Sequence, residues 1–320
     1  MFGTFSRMFS AFATVVGVLV STDTVGRHED LSVAQTGTQV VLLGTGTPPA
    51  DPDRSGPATA VVVNGTPYLV DVGAGVVRRA KSAVVEKGIA ALEPVNLRVV
   101  FVTHLHSDHT VGFPDLILTP WVLGRRVPLE VYGPSGITAM TTHLLEAYRA
   151  DFDTRMKDRH LYARADPQGH AVNAHEVRAG VIYKDANVTV TAYPTKHTME
   201  SYGYRFDTPD RSIVISGDTN PTQATIDACR GCDVLVHEVL TKEWLGKRPD
   251  FQQYASQFHT TTTQLIELAT KAKPRLLILY HASLSLRPAV DSERSTVATV
   301  LREMSPYVGR VVVGRDLDVY

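Results

Sequence analysis

Cysteine is scarce in this chain. Only Cys229 and Cys232 occur among 320 residues, as a single C-x-x-C, which excludes a four-cysteine zinc site and a fold stapled by several disulfides. The pair falls in a turn between a helix-like stretch, Gln223 to Ala228, and the strand Val234-Leu235-Val236. It reads as a structural pair able to close a local disulfide after export, not as a redox centre. An excess of either charge is missing too: 32 basic and 33 acidic side chains leave a net charge of -1. No global electrostatic footprint of a nucleic-acid binder is present, although a local basic patch stays compatible with that sum. Long apolar runs are limited to Met8 to Val20, which follows Arg7 and precedes the polar stretch Ser21 to Asp30. A run of that length is short for a bilayer span and suits the core of an export signal. Residues 1–30 therefore read as a signal peptide or leader, and the protein as secreted or periplasmic. Arg7 is the only charge ahead of the run and no clear A-x-A cleavage site follows, so an uncleaved membrane anchor or a plain N-terminal extension stays open.

With 43% hydrophobic residues the chain can bury a large core, as one α/β domain or two smaller ones. Gln39 to Leu43 reads as a strand entering the loop Gly44-Thr45-Gly46-Thr47-Pro48-Pro49. That loop lacks the third glycine of a dinucleotide fingerprint and has prolines where a helix would begin, so a dinucleotide site is rejected. Ala58 to Val63 and Tyr68 to Val72 read as a hairpin about Asn64-Gly65, followed by a helix over Val76 to Lys87. Further strands are Leu129 to Tyr132, Val188 to Ala192, Tyr202 to Phe206, Ile213 to Ser216, Val234 to His237 and Leu276 to Leu279. From His143 to Gly180 the sequence turns charged and irregular, with His160, His170 and His175. It reads as solvated loop and helix, or as a lid over a site to which Trp121, Tyr132 and Tyr202 would also contribute. The two halves share one plan, strands whose C-terminal ends carry polar residues, which suggests a two-sheet sandwich flanked by helices with the site along one edge.

The densest chemistry is Thr103-His104-Leu105-His106-Ser107-Asp108-His109, directly after the mostly apolar run Leu97 to Val102. Residues two apart at a strand end point the same way, so His104 and His106 can face one ion. Asp108 and His109 follow where the chain must turn and can reach a second. Other strand ends supply His197, Asp218 and His281, making seven candidate metal ligands. Two ions about 3.5 to 4 Å apart need a set of this kind, with a carboxylate free to bridge and a shared water that ionises near neutral pH. Imidazole plus carboxylate suits zinc first, two per chain, with manganese or iron also compatible.

These stretches, with Leu43-Gly44-Thr45-Gly46, Leu69-Val70-Asp71-Val72-Gly73, Tyr202-Gly203-Tyr204-Arg205, Ser216-Gly217-Asp218-Thr219, His237-Glu238 and His259-Thr260-Thr261, resemble the metallo-β-lactamase fold superfamily and, within it, the ribonuclease Z-like branch. The resemblance covers residues 43 to 281. It implies an αβ/βα four-layer sandwich, two mixed sheets flanked by helices, over a domain spanning 38–320. It implies one zinc on His104, His106 and His197, a second on Asp108, His109 and His281, and Asp218 between them. Glu238 and His259 resemble the family's proton relay to the leaving group, and Asp71 a carboxylate that orients a ligand histidine.

Departures from the branch bear on the substrate. Ribonuclease Z proteins carry an arm that grips tRNA; here Asp207-Thr208-Pro209-Asp210 is too short for one, and the segment from 143 to 180 is the only place left for a reduced arm. Arg287 lies six residues after His281, later than the family spacing. Together with the leader and the neutral charge, these departures predict that nucleic acid is not a partner. They point to an exported dinuclear hydrolase of small phosphodiester or sulfate esters, like the superfamily's arylsulfatases and phosphodiesterases, with a homodimer compatible. A ribonuclease Z-type endoribonuclease and a lactone or β-lactam hydrolase are the alternatives. Against β-lactamases of the cysteine-ligand type, this chain has Asp218 where they have Cys.

Overall fold

Runs of Val, Ile and Leu with a two-residue period send alternate side chains to opposite faces, and two sheets result, each buried on both sides. The computed structural model describes residues 37–158, 166–284 and 295–320; the leader at 1–30, His160 and Arg287 lie outside the described residues. In the first sheet, β1 (Thr38–Gly44), β2 (Ala58–Val63) and β3 (Thr66–Val70) form an antiparallel meander. Asn64 and Gly65, at φ 48° and 78°, make the two-residue turn between β2 and β3. Helix α1 (Val76–Lys87) then crosses to β4 (Val99–Phe101), which pairs in parallel with β3. Helices α2 (Ser107–Thr110) and α3 (Phe113–Val122) lead to β5 (Leu129–Gly133), and α4 (Ile137–Ala147) and α5 (Arg149–Lys157) to the edge strand β6 (Val172–Glu176).

The second sheet repeats the plan. β7 (Gly180–Lys184), β8 (Thr189–Pro194), β9 (Tyr202–Asp207) and β10 (Ser212–Ile215) are antiparallel, and β11 (Val234–Glu238), β12 (Leu276–Tyr280) and β13 (Val311–Val313) follow in parallel. Between these strands run α6 (Gln223–Cys229), α7 (Lys242–Gly246), α8 (Pro249–Phe258), α9 (Thr262–Ala272) and α10 (Val297–Glu303). Alternation partitions the core into three layers. Val61 and Val63 of β2 face Phe206, Ile213 and Val236 in the space between the sheets. Ala60 and Val62 turn outward against α1 and α3. Leu235 of β11 packs outward against α6 and α9. Helices thus cover both outer faces, giving the four-layer αβ/βα sandwich that the resemblance implies.

Strand boundaries shift by one or two residues from the sequence reading, and one of these shifts bears on the site. β3 ends at Val70, not Val72, because Asp71 takes a left-handed φ of 61° and leaves the ladder. Among its described residues the segment from 143 to 180 supplies the end of α4, then α5 and β6; His143 is exposed beside Glu146, and His170 and His175 serve packing. His170 stacks near Trp121 and Phe152, and His175 lies on the Tyr132 ring beside Glu130. Trp121 is buried under α5, and among the described residues none of this segment lines the cleft at the strand ends. Cys229 and Cys232 form a disulfide across the turn from α6 to β11.

Candidate metal centre

Parallel strands place their C-terminal ends on one edge, and the ligating side chains gather there. After β4 the chain stays extended through Thr103 to His106, then turns into α2, whose first turn carries Asp108 and His109. His197 sits in the β8–β9 connection, Asp218 follows β10, and His281 follows β12 in a left-handed conformation at φ 44°. Two close approaches hold these loops together. A Cβ on Gly73 would lie 2.4 Å from the Gly56 carbonyl carbon and 2.7 Å from the Asp108 oxygen, so only glycine fits between the meander and α2. Gly217, at φ 61°, lets the Asp218 loop close on the Thr103 side chain.

All seven candidate ligands come together. His104, His106 and His197 form one group, Asp108, His109 and His281 another, and Asp218 offers an oxygen close to His104 and His109, with ligand atoms within 4.8 Å of one another in each group. His106 Nδ1 lies 3.0 Å from His104 Nε2 and 3.1 Å from His197 Nε2. His281 Nε2 lies 3.1 Å from Asp108 Oδ2 and 3.3 Å from His109 Nε2. The outer ring nitrogens are already committed. His104 Nδ1 meets the Thr103 hydroxyl at 3.0 Å, His109 Nδ1 donates to Asp71 at 2.8 Å, and His197 Nδ1 donates to the Phe258 carbonyl at 3.1 Å. Each of these contacts leaves Nε2, with its lone pair, facing inward. Asp71 is itself fixed by the Thr103 backbone N–H and hydroxyl, at 2.8 and 3.0 Å.

The electrostatics suit cations. Burial pushes the His104 imidazolium well below the ordinary histidine range, and burial also lowers His106 and takes His197 down to about 4. These rings are neutral donors of lone pairs at neutral pH. Burial alone would raise Asp218, but His281 and His109 hold its carboxyl well below the usual range. Its Oδ1 is buried without a hydrogen bond, and its nearest charge partners are ring nitrogens of His281 and His109 at 3.3 and 3.4 Å, long contacts that a shared cation would replace. Inward-facing imidazoles and an unsatisfied carboxylate oxygen together fit a divalent-metal site.

Glu238, the last residue of β11, and His259, which caps α8, form a second pair at the rim. His259 Nδ1 lies 2.9 Å from Glu238 Oε2, and Glu238 also accepts the Thr219 backbone N–H at 2.6 Å. Burial works against charge on His259, yet the Glu238 carboxylate overrides it and raises the imidazole to about 9. His259 also offers an atom within 4.8 Å of His197 and Asp218, a grouping that the sequence does not reveal. The centre opens into a cavity of about 250 Å³ whose lining includes Trp244, Phe251 and Tyr254. Sequence reasoning looked instead to Trp121, Tyr132 and Tyr202. The overlooked signal was a run of aromatic residues between Glu238 and His259, two of them three apart on one helix.

A family model described as a Beta-lactamase superfamily domain matches residues 66–282. A ribonuclease Z of Mycobacterium sp. strain KMS is 35% identical over 269 residues, covering 82% of this chain and 90% of that protein. One from Mycobacterium bovis strain BCG Pasteur is 31% identical, covering 87% and 96%. Among solved structures, human tRNase Z, short form, aligns with a TM-score of 0.64 at 20% identity, covering 88% of this chain and 98% of that one. A diphosphatase from the PhnP family aligns with a TM-score of 0.57 at 19% identity, covering 89% and 97%. These two likenesses show the fold.

The mycobacterial relatives overturn the expectation that nucleic acid is not a partner, since proteins named for a ribonuclease share a third of their residues with this chain over nearly their whole length. One step behind that expectation fails: a net charge of -1 is a sum and says nothing about where charges sit. The chain is a hydrolase of the metallo-β-lactamase-fold superfamily and belongs to its ribonuclease Z-like branch.

Proposed function

We propose that this protein is a metal-dependent phosphodiesterase that cleaves RNA, an endoribonuclease of the ribonuclease Z type. The observation that carries the reading is the juxtaposition, in one cleft, of seven inward-facing ligand side chains and a carboxylate-oriented histidine. Relatives named ribonuclease Z support the substrate class. His104, His106 and His197 would hold one divalent ion, zinc in the first instance, and Asp108, His109 and His281 a second, with Asp218 between them. When bound, such ions supply acidified water and neutralise charge on the phosphoryl oxygens.

The chain's own residues do the rest. Asp71, Thr103 and the Phe258 carbonyl select the ring tautomers. Glu238 holds the His259 ring with Nε2 toward the cleft. As the oxygen of a water that has released a proton to solvent bonds to phosphorus, the P–O bond to the leaving sugar breaks, its electron pair goes to the leaving oxygen, and that oxygen takes the proton from His259, which solvent then restores. General acid assistance of this kind is worth roughly 10²- to 10⁴-fold in rate.

A second reading, an exported hydrolase of small phosphodiester or sulfate esters, is favoured by the Cys229–Cys232 disulfide, since such bonds persist mainly in oxidising compartments. One experiment separates the two. Initial rates of the zinc-loaded protein are measured on a precursor tRNA, a single-stranded oligoribonucleotide, bis(p-nitrophenyl) phosphate and p-nitrophenyl sulfate, with Asp218→Ala as the blank. Faster turnover of RNA, absent in the blank, supports the ribonuclease. Turnover of the small esters with RNA untouched removes it.

A further inference from the structure

The stretch from Leu240 to His259 supplies none of the seven candidate ligands, yet it covers the centre. Phe251 and Tyr254 are three apart on one face of α8, with ring centroids 4.9 Å apart, and Trp244 of α7 stands edge-on to Phe251 at 5.3 Å. Trp244 is anchored against Leu240 and Ala255, whereas Phe251 and Tyr254 are half-buried. Their rings lie 6.1 and 5.3 Å from that of His259. Pro48 and Pro49 of the β1–β2 loop and Arg248 line the same cavity, and His106, Asp108, Asp218 and His281 lie at the metal centre it opens onto. On the other side of that loop a cavity of about 490 Å³ shares Asp108 but is lined by Ser55, Gly75 and Ser107, with no aromatic side chain. The cleft is therefore asymmetric about the metal centre: aromatic side chains line it where His259 stands, and none lines the second cavity.

A phosphodiester has two arms, and a general acid must stand beside the oxygen that departs. The arm bearing that oxygen thus lies against α7 and α8. A half-buried aromatic pair lining one cavity with two prolines, the Arg248 guanidinium carbon 5.9 Å from the Phe251 ring centre, matches a flat, π-faced group. We infer that Phe251 and Tyr254, backed by Trp244, form a stacking subsite for the base of the nucleotide on the leaving-oxygen side of the scissile phosphate. The inference rests on the phosphodiesterase reading above.

The test has a binding arm and a cleavage arm. Only two tryptophans exist, Trp121 fully buried and Trp244 in the wall. Adenosine should quench the fluorescence of the metal-loaded protein saturably, ribose should not, and Trp244→Phe should abolish the response. Phe251→Leu and Tyr254→Leu, which keep apolar bulk and lose the ring, should each weaken adenosine binding about ten-fold, the usual cost of losing one stacking partner, with an unchanged unfolding midpoint. An oligoribonucleotide carrying an abasic ribose on the leaving-oxygen side should be cleaved about ten-fold more slowly by the parent protein, and the leucine variants should no longer discriminate against it. The inference is overturned if ribose quenches as adenosine does, if both leucine variants bind adenosine like the parent, or if only an abasic site on the opposite side slows cleavage. A normal adenosine response without cleavage of any RNA would remove the ribonuclease reading and leave the base-binding subsite standing.

Discussion

Asp71 shows how a single residue organises the centre. It leaves β3 in a left-handed conformation, accepts from Thr103 and holds His109 Nδ1, so one carboxylate sets the geometry at both ends of the stretch from Thr103 to His109. Backbone strain of that kind persists only where the surroundings enforce it. Asp71→Asn should lower metal affinity about 10- to 100-fold, read by chelator competition; unchanged affinity would show that His109 is oriented without it. His259→Ala should lower kcat by roughly 10²- to 10⁴-fold while metal content stays constant, and a parallel loss of metal would make His259 a ligand. A third prediction concerns Asp185, which accepts hydrogen bonds from Tyr68 and Tyr183 at 2.6 and 2.9 Å and from the Val188 N–H at 2.9 Å. Burial raises its pKa, but these bonds outweigh burial and hold it below the ordinary 3.8. Its folded value is depressed, so its stabilisation is fully present above 3.8 and is lost as pH falls through the folded value. The stability gap between the parent and Asp185→Asn should be constant at neutral pH and shrink in acid. A pH-independent gap would contradict this assignment.

At the scale of elements, what was legible depended on how local the cause is. The hairpin about Asn64-Gly65 and the helix Val76–Lys87 follow from turn chemistry and periodicity within a dozen residues. The ligand run was legible because four liganding side chains fall within six residues. The aromatic wall was not: α7 has five residues and α8 ten, and nothing local says that they fold over the strand ends. Attention went to the charged segment from 143 to 180, whose His170 and His175 pack on Trp121 and Tyr132 instead. The exit of β3 likewise depends on a distant partner, since Gly73 is pressed against Gly56 and the Asp108 backbone. Gly73→Ala should therefore cost about 1 to 3 kcal/mol in denaturant unfolding and should impair metal binding with it. A neutral alanine would mean that the loop gives way freely.

At the scale of the molecule, the ligands are shared between halves: His104, His106, Asp108 and His109 come from the first sheet and His197, Asp218 and His281 from the second. Under the present proposal metal ions clasp the two sheets, already joined by the Tyr202 N–H to Thr103 carbonyl bond at 2.9 Å and the Tyr204 hydroxyl to Val102 carbonyl bond at 2.7 Å. A ligand that binds only the folded state adds stability that grows as the logarithm of one plus its concentration over Kd, about 4 kcal/mol at a thousand times Kd. Stripping metal should accordingly lower the unfolding midpoint, and re-addition should restore it. The nucleic-acid partner is where whole-molecule reasoning from sequence failed, because net charge is a sum over the molecule, whereas recognition depends on where individual groups stand around the cleft.

The most direct test of the central claim is a zinc titration of chelator-stripped protein, with cleavage of a single-stranded oligoribonucleotide followed at each addition. Activity should be absent in the stripped protein, rise to a plateau at two equivalents, and stay absent in Asp218→Ala. Cleavage that survives stripping, or that Asp218→Ala supports at the parent rate, would contradict the account.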